Sequence, residues 1–282
     1  MDGFKRLPDE NVEEGGIFAE LKKHSYWSYL MTEVDPEWCT APLAAYCFMT
    51  GFIDAISFSA IFVWCGFQTG NFAQLALAIA RLMETPNANG AIKDNSFHAA
   101  DRQAITSLLT FNVGAFLGRI GDRIGCHVRL WLVLGTFIQT LFTMAAAITV
   151  WQSGSLSIAG DRGNPSWTNA LSYVALAFMS ASLGLQGIMG KKLNTQFTTT
   201  VVVTTVWVEL VTDPNLFKRK RVKTRDHKLI AASSLFIGAF FSRALLAQVG
   251  AGGALGLATG SRLLLTFSWL FVPPKPLKSG EK

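Results

Sequence analysis

The sequence predicts an all-α protein: a polytopic transmembrane helical bundle of about eight spans, in two four-helix repeats with some short or broken helices. Three observations carry this. Half of the residues are apolar, mean hydropathy is +0.32 and only 16% are charged, where a soluble domain has about 25%. The charge deficit is gathered into long blocks: residues 41–80 hold a single charge, Asp54, and residues 130–160, 163–190 and 193–208 hold none. Finally, NVGAFLGR at 112–119 and FIGAFFSR at 236–243 align without a gap, with glycine, alanine, phenylalanine and arginine coinciding.

Polar breaks divide the apolar sequence into spans at 42–58, 61–83, 104–122, 130–151, 169–189, 194–212, 229–248 and 254–272. A polar tail, 1–40, precedes the first; its acidic start (Asp9, Glu10, Glu13, Glu14) predicts no cleavable signal peptide. The first repeat covers 41–152, a connecting loop 153–168, the second repeat 169–272 and a C-terminal tail 273–282. Lys191 and Lys192 separate the fifth and sixth spans firmly, whereas the break between the first two, near Ser59, rests on alignment of the halves. Gly51-Phe52-Ile53-Asp54 sets against Gly184-Leu185-Gln186-Gly187, and Gln68-Thr69-Gly70-Asn71 against Val203-Thr204-Thr205-Val206. An even number of spans per repeat would give both halves the same orientation in the membrane.

Eight spans also sort the basic residues. The N-terminal tail, the second, fourth and sixth loops and the C-terminal tail fall on one side and hold most of the Lys and Arg, including the run Lys218 to Lys228. Arg119, Arg123, Arg129, Lys191, Lys192 and Arg243 fall on the other. The positive-inside rule then places both termini in the cytosol, in an integral multi-pass protein. The basic run, lying between two apolar spans, reads as an anchor on anionic headgroups of the lipid bilayer and not as a nucleic-acid patch.

Asp54 is the strongest candidate for chemistry. A carboxylate in hydrocarbon must face a cavity, pair with a cation or take up a proton, so it reads either as a proton or cation site or as a structural partner. Gln68, Thr69, Gly70 and Asn71 stand inside the second span, where glycine permits a helix break whose freed backbone groups would line a substrate site. Close packing through Gly66-x-x-x-Gly70 is the other reading. The matching polar run in the second half is Thr198-Thr199-Thr200 with Thr204 and Thr205. Arg119 and Arg243 either face inward, where they neutralise an anionic solute or hold Asp54 and Asp122, or snorkel at a boundary. Placed on the spans, both fall toward the non-cytoplasmic ends of their helices. Arg262, deep in the last span, has no counterpart in the fourth and no explanation.

Other classes find little support. Cys39, Cys47, Cys65 and Cys126 lack CxxC spacing and read as buried thiols; the four histidines lack paired-ligand spacing, so neither a metal site nor a cofactor is expected. There is no GxSxG elbow, P-loop or GxGxxG after a strand, which argues against an enzyme.

At the level of GFIDAISF (51–58), QTGNFAQLALAIA (68–80), GLQ (184–186) and TTTVVVTTVWVEL (198–210), the chain resembles the YoaK-type family, multi-pass membrane proteins of bacteria and fungi with a domain of unknown function. The resemblance covers residues 40–272, and the long N-terminal tail is similar to a fungal-style extension. It departs from the family where Gly187 stands in place of an asparagine after GLQ, and where Thr204-Thr205-Val206 replaces a TGT-like element, which weakens solute binding by the second half. The resemblance implies the membrane bundle and supplies no reaction.

The sequence thus points to a secondary transporter or permease for a small polar or anionic solute, with Asp54, Gln68, Thr69, Gly70 and Asn71 facing Gln186, Thr204 and Thr205, and Arg119 and Arg243 setting charge preference. The competing class is a non-transporting scaffold or a membrane enzyme acting on a lipid-soluble substrate. Small-xxx-small patterns serve packing within and between chains alike, which leaves a homo-oligomer open.

Overall fold

The computed structural model describes residues 25–84, 96–159, 166–193, 195, 200–201 and 204–276. Tail residues 1–24 and 277–282, together with Lys93, Arg162, Thr198, Thr199 and Val203, lie outside the described residues. Among the described residues the chain is helical, with two isolated β-bridges and no strand. The helices are α1 (Thr40–Ile61), α2 (Gln68–Met83), α3 (Ala99–Leu117), the short α4 (Ile120–Ile124), α5 (Arg129–Ser153), α6 (Ala170–Lys192), α7 (Thr204–Val211) and α8 (Lys223–Ser268).

Among the described residues, five helical stretches are long and apolar enough to cross a membrane: Thr40–Ile61, Ala99–Ile124, Arg129–Ser153, Ala170–Lys192 and Lys223–Phe271. Burial is inverted relative to a soluble protein. Phe72, Leu109, Phe116, Leu141, Ile148, Phe240 and Leu264 are exposed, while Thr50, Asp54, Asn71, Ser107, Gln139, Ser180, Gln186 and Arg262 are buried. That is the pattern expected when the surrounding solvent is hydrocarbon. The centre is formed by α1 and α6, with 67% and 61% of their most apolar windows buried, against 28–44% for the other candidate spans.

The predicted eight spans change in two ways. The second and sixth become α2, of 16 residues, and α7, of 8 residues, shorter than the roughly 20 needed to cross. The second loses its first turns because α1 ends at Phe62, left-handed at φ 58, and the chain folds back until the Gly66 N–H donates to Asp54 Oδ1 at 2.8 Å. Gly66 therefore lies level with the interior of α1, and α2 starts at that depth. The seventh and eighth spans are two arms of α8, which reverses at Gly250. Lys223 pairs with Glu37 at one end of α8, and Asp35 N–H donates to Pro273 O just beyond the other, so both ends return to the same end of the bundle.

Contacts fix the helix directions. The first arm of α8 runs parallel to α1, with His227 3.4 Å from Thr40 and Ser242 Oγ donating to Phe52 O at 2.7 Å. The helices α3 and α6 are likewise parallel: Tyr173 OH meets Ala99 O at one end and Lys192 pairs with Asp122 at the other. The second arm of α8 runs antiparallel to α5, from Gly252 beside Trp151 to Trp269 Nε1, which donates to Thr136 Oγ1 at 2.9 Å. Consequently α1 and α6 run in opposite directions. Arg123, Lys192, Lys220 and Lys275 share one end of the bundle instead of being divided between two sides as eight crossings required.

That basic end is clipped shut. Val34 N–H donates to His127 O and Asp35 N–H to Pro273 O, each at 2.9 Å. Arg129, fully buried, donates to Tyr29 O, the Thr32 hydroxyl and Val272 O, with its guanidinium 3.9 Å from the Tyr29 ring centroid.

Four glycines allow the helices to touch. A Cβ on Gly51 would overlap the Leu235 carbonyl, and one on Gly238 the Phe48 carbonyl; on the other side, Gly184 lies against Phe111 O and Gly114 against Ala181 O. At Gly250 the requirement is conformational: φ 69, ψ −179 belongs to a region open essentially to glycine. We expect Gly250→Ala to cost on the order of 1–3 kcal/mol. Thermal unfolding in detergent, followed by tryptophan fluorescence, should show a Tm lowered by several degrees; an unchanged Tm would contradict the strained reversal.

Candidate functional site

The fold-back after α1 frees backbone groups inside the bundle, and side chains of α2, α3 and α6 take them up. Asn71 Nδ2 donates to Trp64 O at 2.7 Å and Gln68 Nε2 to Cys65 O at 2.6 Å. Ser107 Oγ, on α3, lies 3.1 Å from Trp64 O, from Gln68 Nε2 and from Asn71 Nδ2, and 2.9 Å from Ser180 Oγ of α6. Asp54 closes the cluster from α1. Its Oδ1 accepts from Gly66, while Oδ2 is buried without a hydrogen-bond partner. No cation pairs with it among the described residues.

A second cluster surrounds Gln186. Its Nε2 donates to Tyr46 O at 2.9 Å and Thr50 Oγ1 at 2.8 Å, and its Oε1 accepts from Arg262 at 3.0 Å. Arg262 also donates to Gln139 Oε1. Tyr46 OH lies 2.6 Å from Thr136 Oγ1, joining α1 to α5.

The two clusters meet along α1, where Asp54 follows Thr50 by one helical turn. They also meet at Thr200 and Val201, between α6 and α7 in the sequence. Leu193, just beyond α6, is at the basic end, its carbonyl 3.4 Å from His127 Nε2. Thr200 is deep inside, its carbonyl accepting from Thr50 Oγ1 at 2.9 Å. Val201 packs over both Gly66 and Gly187. From there α7 leads back out to an ion pair between Glu209 and Lys228. The fold-back after α1 and the Thr200–Val201 pair thus touch where Gly66 meets Val201.

The sequence-predicted residues are distributed unevenly over this arrangement. Asp54, Gln68 and Asn71 belong to the first cluster and Gln186 to the second. Thr69, Gly70, Thr204 and Thr205 are exposed, outside both. Arg119 and Arg243 are also exposed and lie toward opposite ends: Arg119 is near the Asp122–Lys192 pair, with its guanidinium 5.1 Å from the Phe116 ring centroid, whereas Arg243 follows Ser242 toward the Gly250 end. Their placement on a common side followed from eight crossings and changes with them. Sequence reasoning missed Ser107, Ser180, Tyr46, Thr50 and Gln139. Only Gln139 carried a signal, as a strongly polar residue in an uncharged block.

All four cysteines are free thiols. Outside the spans, burial pushes Cys39 up to about 12, with the Asp35 charge adding to it, and burial likewise raises Cys126. Neither is a thiolate at neutral pH.

Comparison with known proteins adds one finding. A family model described as "Protein of unknown function (DUF1275)" matches residues 43–268. No curated protein and no solved structure matches the chain.

The first cluster is tested by a double-mutant cycle. Asn71→Ala and Ser107→Ala should each lower Tm, and the double variant should lose less than the sum, with a coupling on the order of 0.5–3 kcal/mol. Strict additivity would contradict the shared network.

Proposed function

This chain belongs to the DUF1275 family, and we propose that it is a secondary transporter or permease for a small polar or anionic solute. The observation that carries this reading is the contact between Gly66 and Val201, where the fold-back after α1 and the Thr200–Val201 pair meet beside Asp54. Discontinuous segments at mid-membrane, supplied by two related halves, are a recurring way to build a solute site that opens alternately to either side.

We further propose that the halves are an internal repeat of inverted orientation, each half with three crossings and one segment that enters and returns. The glycine contacts support it: Gly51 and Gly184 occupy aligned positions and abut Leu235 and Phe111, themselves aligned in the duplicated stretch. Gly238 and Gly114 reciprocate against Phe48 and Ala181. In this reading each repeat packs chiefly against the other, and the pairs can rock as units about the Gly66–Val201 contact. Asp54 is the proton-coupling group, its free oxygen facing the same contact. Lys218 to Lys228 and the other basic residues of that end support a reading in which both described chain ends face the cytosol.

The scaffold reading draws on one observation: Asp54, Asn71 and Gln186 are 1%, 2% and 0% exposed, which is dry packing. For a transporter this is the occluded arrangement. Liposomes holding the purified full chain and an internal pH dye separate the two. Under imposed gradients of small carboxylate and inorganic anions, the transporter reading expects a pH change coupled to entry of at least one of them. It also expects Asp54→Asn to reduce that pH change to the protein-free level. Vesicles that behave like protein-free ones throughout would overturn it.

A further inference from the structure

Arg262 is fully buried, and no carboxylate pairs with it among the described residues. Its guanidinium keeps its proton in any protein environment, so a full positive charge stands inside the bundle. What surrounds it are neutral acceptors, Gln139 Oε1 and Gln186 Oε1. Donors, in contrast, are in surplus. Arg262 Nε is buried without a partner. Gln139 Nε2 donates to the Met189 thioether at 3.2 Å, a weak acceptor, and also faces the Tyr46 hydroxyl. Thr200 Oγ1, adjoining Gly190 of α6, is buried without a partner as well.

Arg129, also fully buried and also with an unpartnered Nε, differs in its other contacts. It lies at the clipped end of the bundle, bonded to two backbone carbonyls and a hydroxyl and stacked on Tyr29. Arg262 has no ring and no carbonyl of the main chain, and it sits between α5, α6 and α8 within the membrane-spanning region. An isolated charge there is retained at a cost, which an entering counter-ion would offset.

We propose that Arg262 anchors an anion-binding site between α5, α6 and the second arm of α8, with Gln139 supplying amide N–H groups, and that its ligand is a small inorganic or carboxylate anion. This deepens the transporter reading by naming the charge class of the solute. The binding test below does not depend on transport: a protein that binds an anion and moves none would sink the former reading and leave this one standing.

The purified full chain is titrated in detergent with sodium chloride, phosphate and acetate at constant ionic strength, and Tm is followed. At least one anion is expected to raise Tm saturably, by about 5 °C or more at roughly 100-fold over its Kd. Arg262→Gln removes the charge and should abolish the saturable rise. Gln139→Glu leaves Arg262 in place but supplies an internal carboxylate; it should raise Tm without anion and abolish the response to anion. A saturable rise that persists in Gln139→Glu, or a wild-type protein whose Tm responds saturably to none of the three anions, would overturn the proposal, making Arg262 a strut between helices. Should Arg262→Gln fail to fold, Gln139→Glu decides alone.

Discussion

Inside hydrocarbon a backbone N–H or C=O without a partner costs several kcal/mol, so a helix can break there only where the protein itself bonds the freed groups. The rest of this structure depends on that constraint. The chain breaks between α1 and α2, and Gly66 N–H, Trp64 O and Cys65 O are met by Asp54, Asn71, Ser107 and Gln68. It breaks again at Gly250, where Ser157 Oγ accepts from Ala251 N–H at 2.8 Å. The polar residues buried at the first break are thus the partners that let it exist.

From the break follows the topology. Because residues 62–67 fold back along α1, α2 begins at depth and, at 16 residues, is not among the candidate spans, which before α6 are α1, α3 with α4, and α5. After these three, α6 runs the opposite way to α1. The basic residues after α3, after α6 and before α8 then gather at one end. A local event, one left-handed Phe62 and a carboxylate that caps a loop, sets the direction of half of the chain.

Much of this was legible in the sequence, and the part that was not has a physical cause. Length and charge deficit gave the long helices α1, α3, α5 and α6 nearly as bounded, because a span is a one-dimensional property of hydropathy. The same property misread 61–83 and 194–212, since hydropathy does not register whether an apolar segment crosses or enters and turns back. Gly114 and Gly238, the glycines of the duplicated stretch, are buried against backbone. Of the two readings open for the repeated arginines in that stretch, exposure of Arg119 and Arg243 fits the boundary one, while the glycine is the repeated feature that packs. Asp54, Gln68 and Asn71 could be singled out by their isolation among apolar residues. Ser107 could not, since a serine in a helix is ordinary until its neighbours are known.

The most direct test asks which ends of the bundle share a side. Single cysteines at Arg123, Lys220 and Gln152, all exposed positions, are introduced into a cysteine-free chain in sealed vesicles of uniform orientation and labelled with a membrane-impermeant maleimide from one face. The account predicts that Arg123→Cys and Lys220→Cys label from the same face and Gln152→Cys from the opposite one. Labelling of Arg123→Cys and Lys220→Cys from opposite faces would restore eight crossings and contradict it.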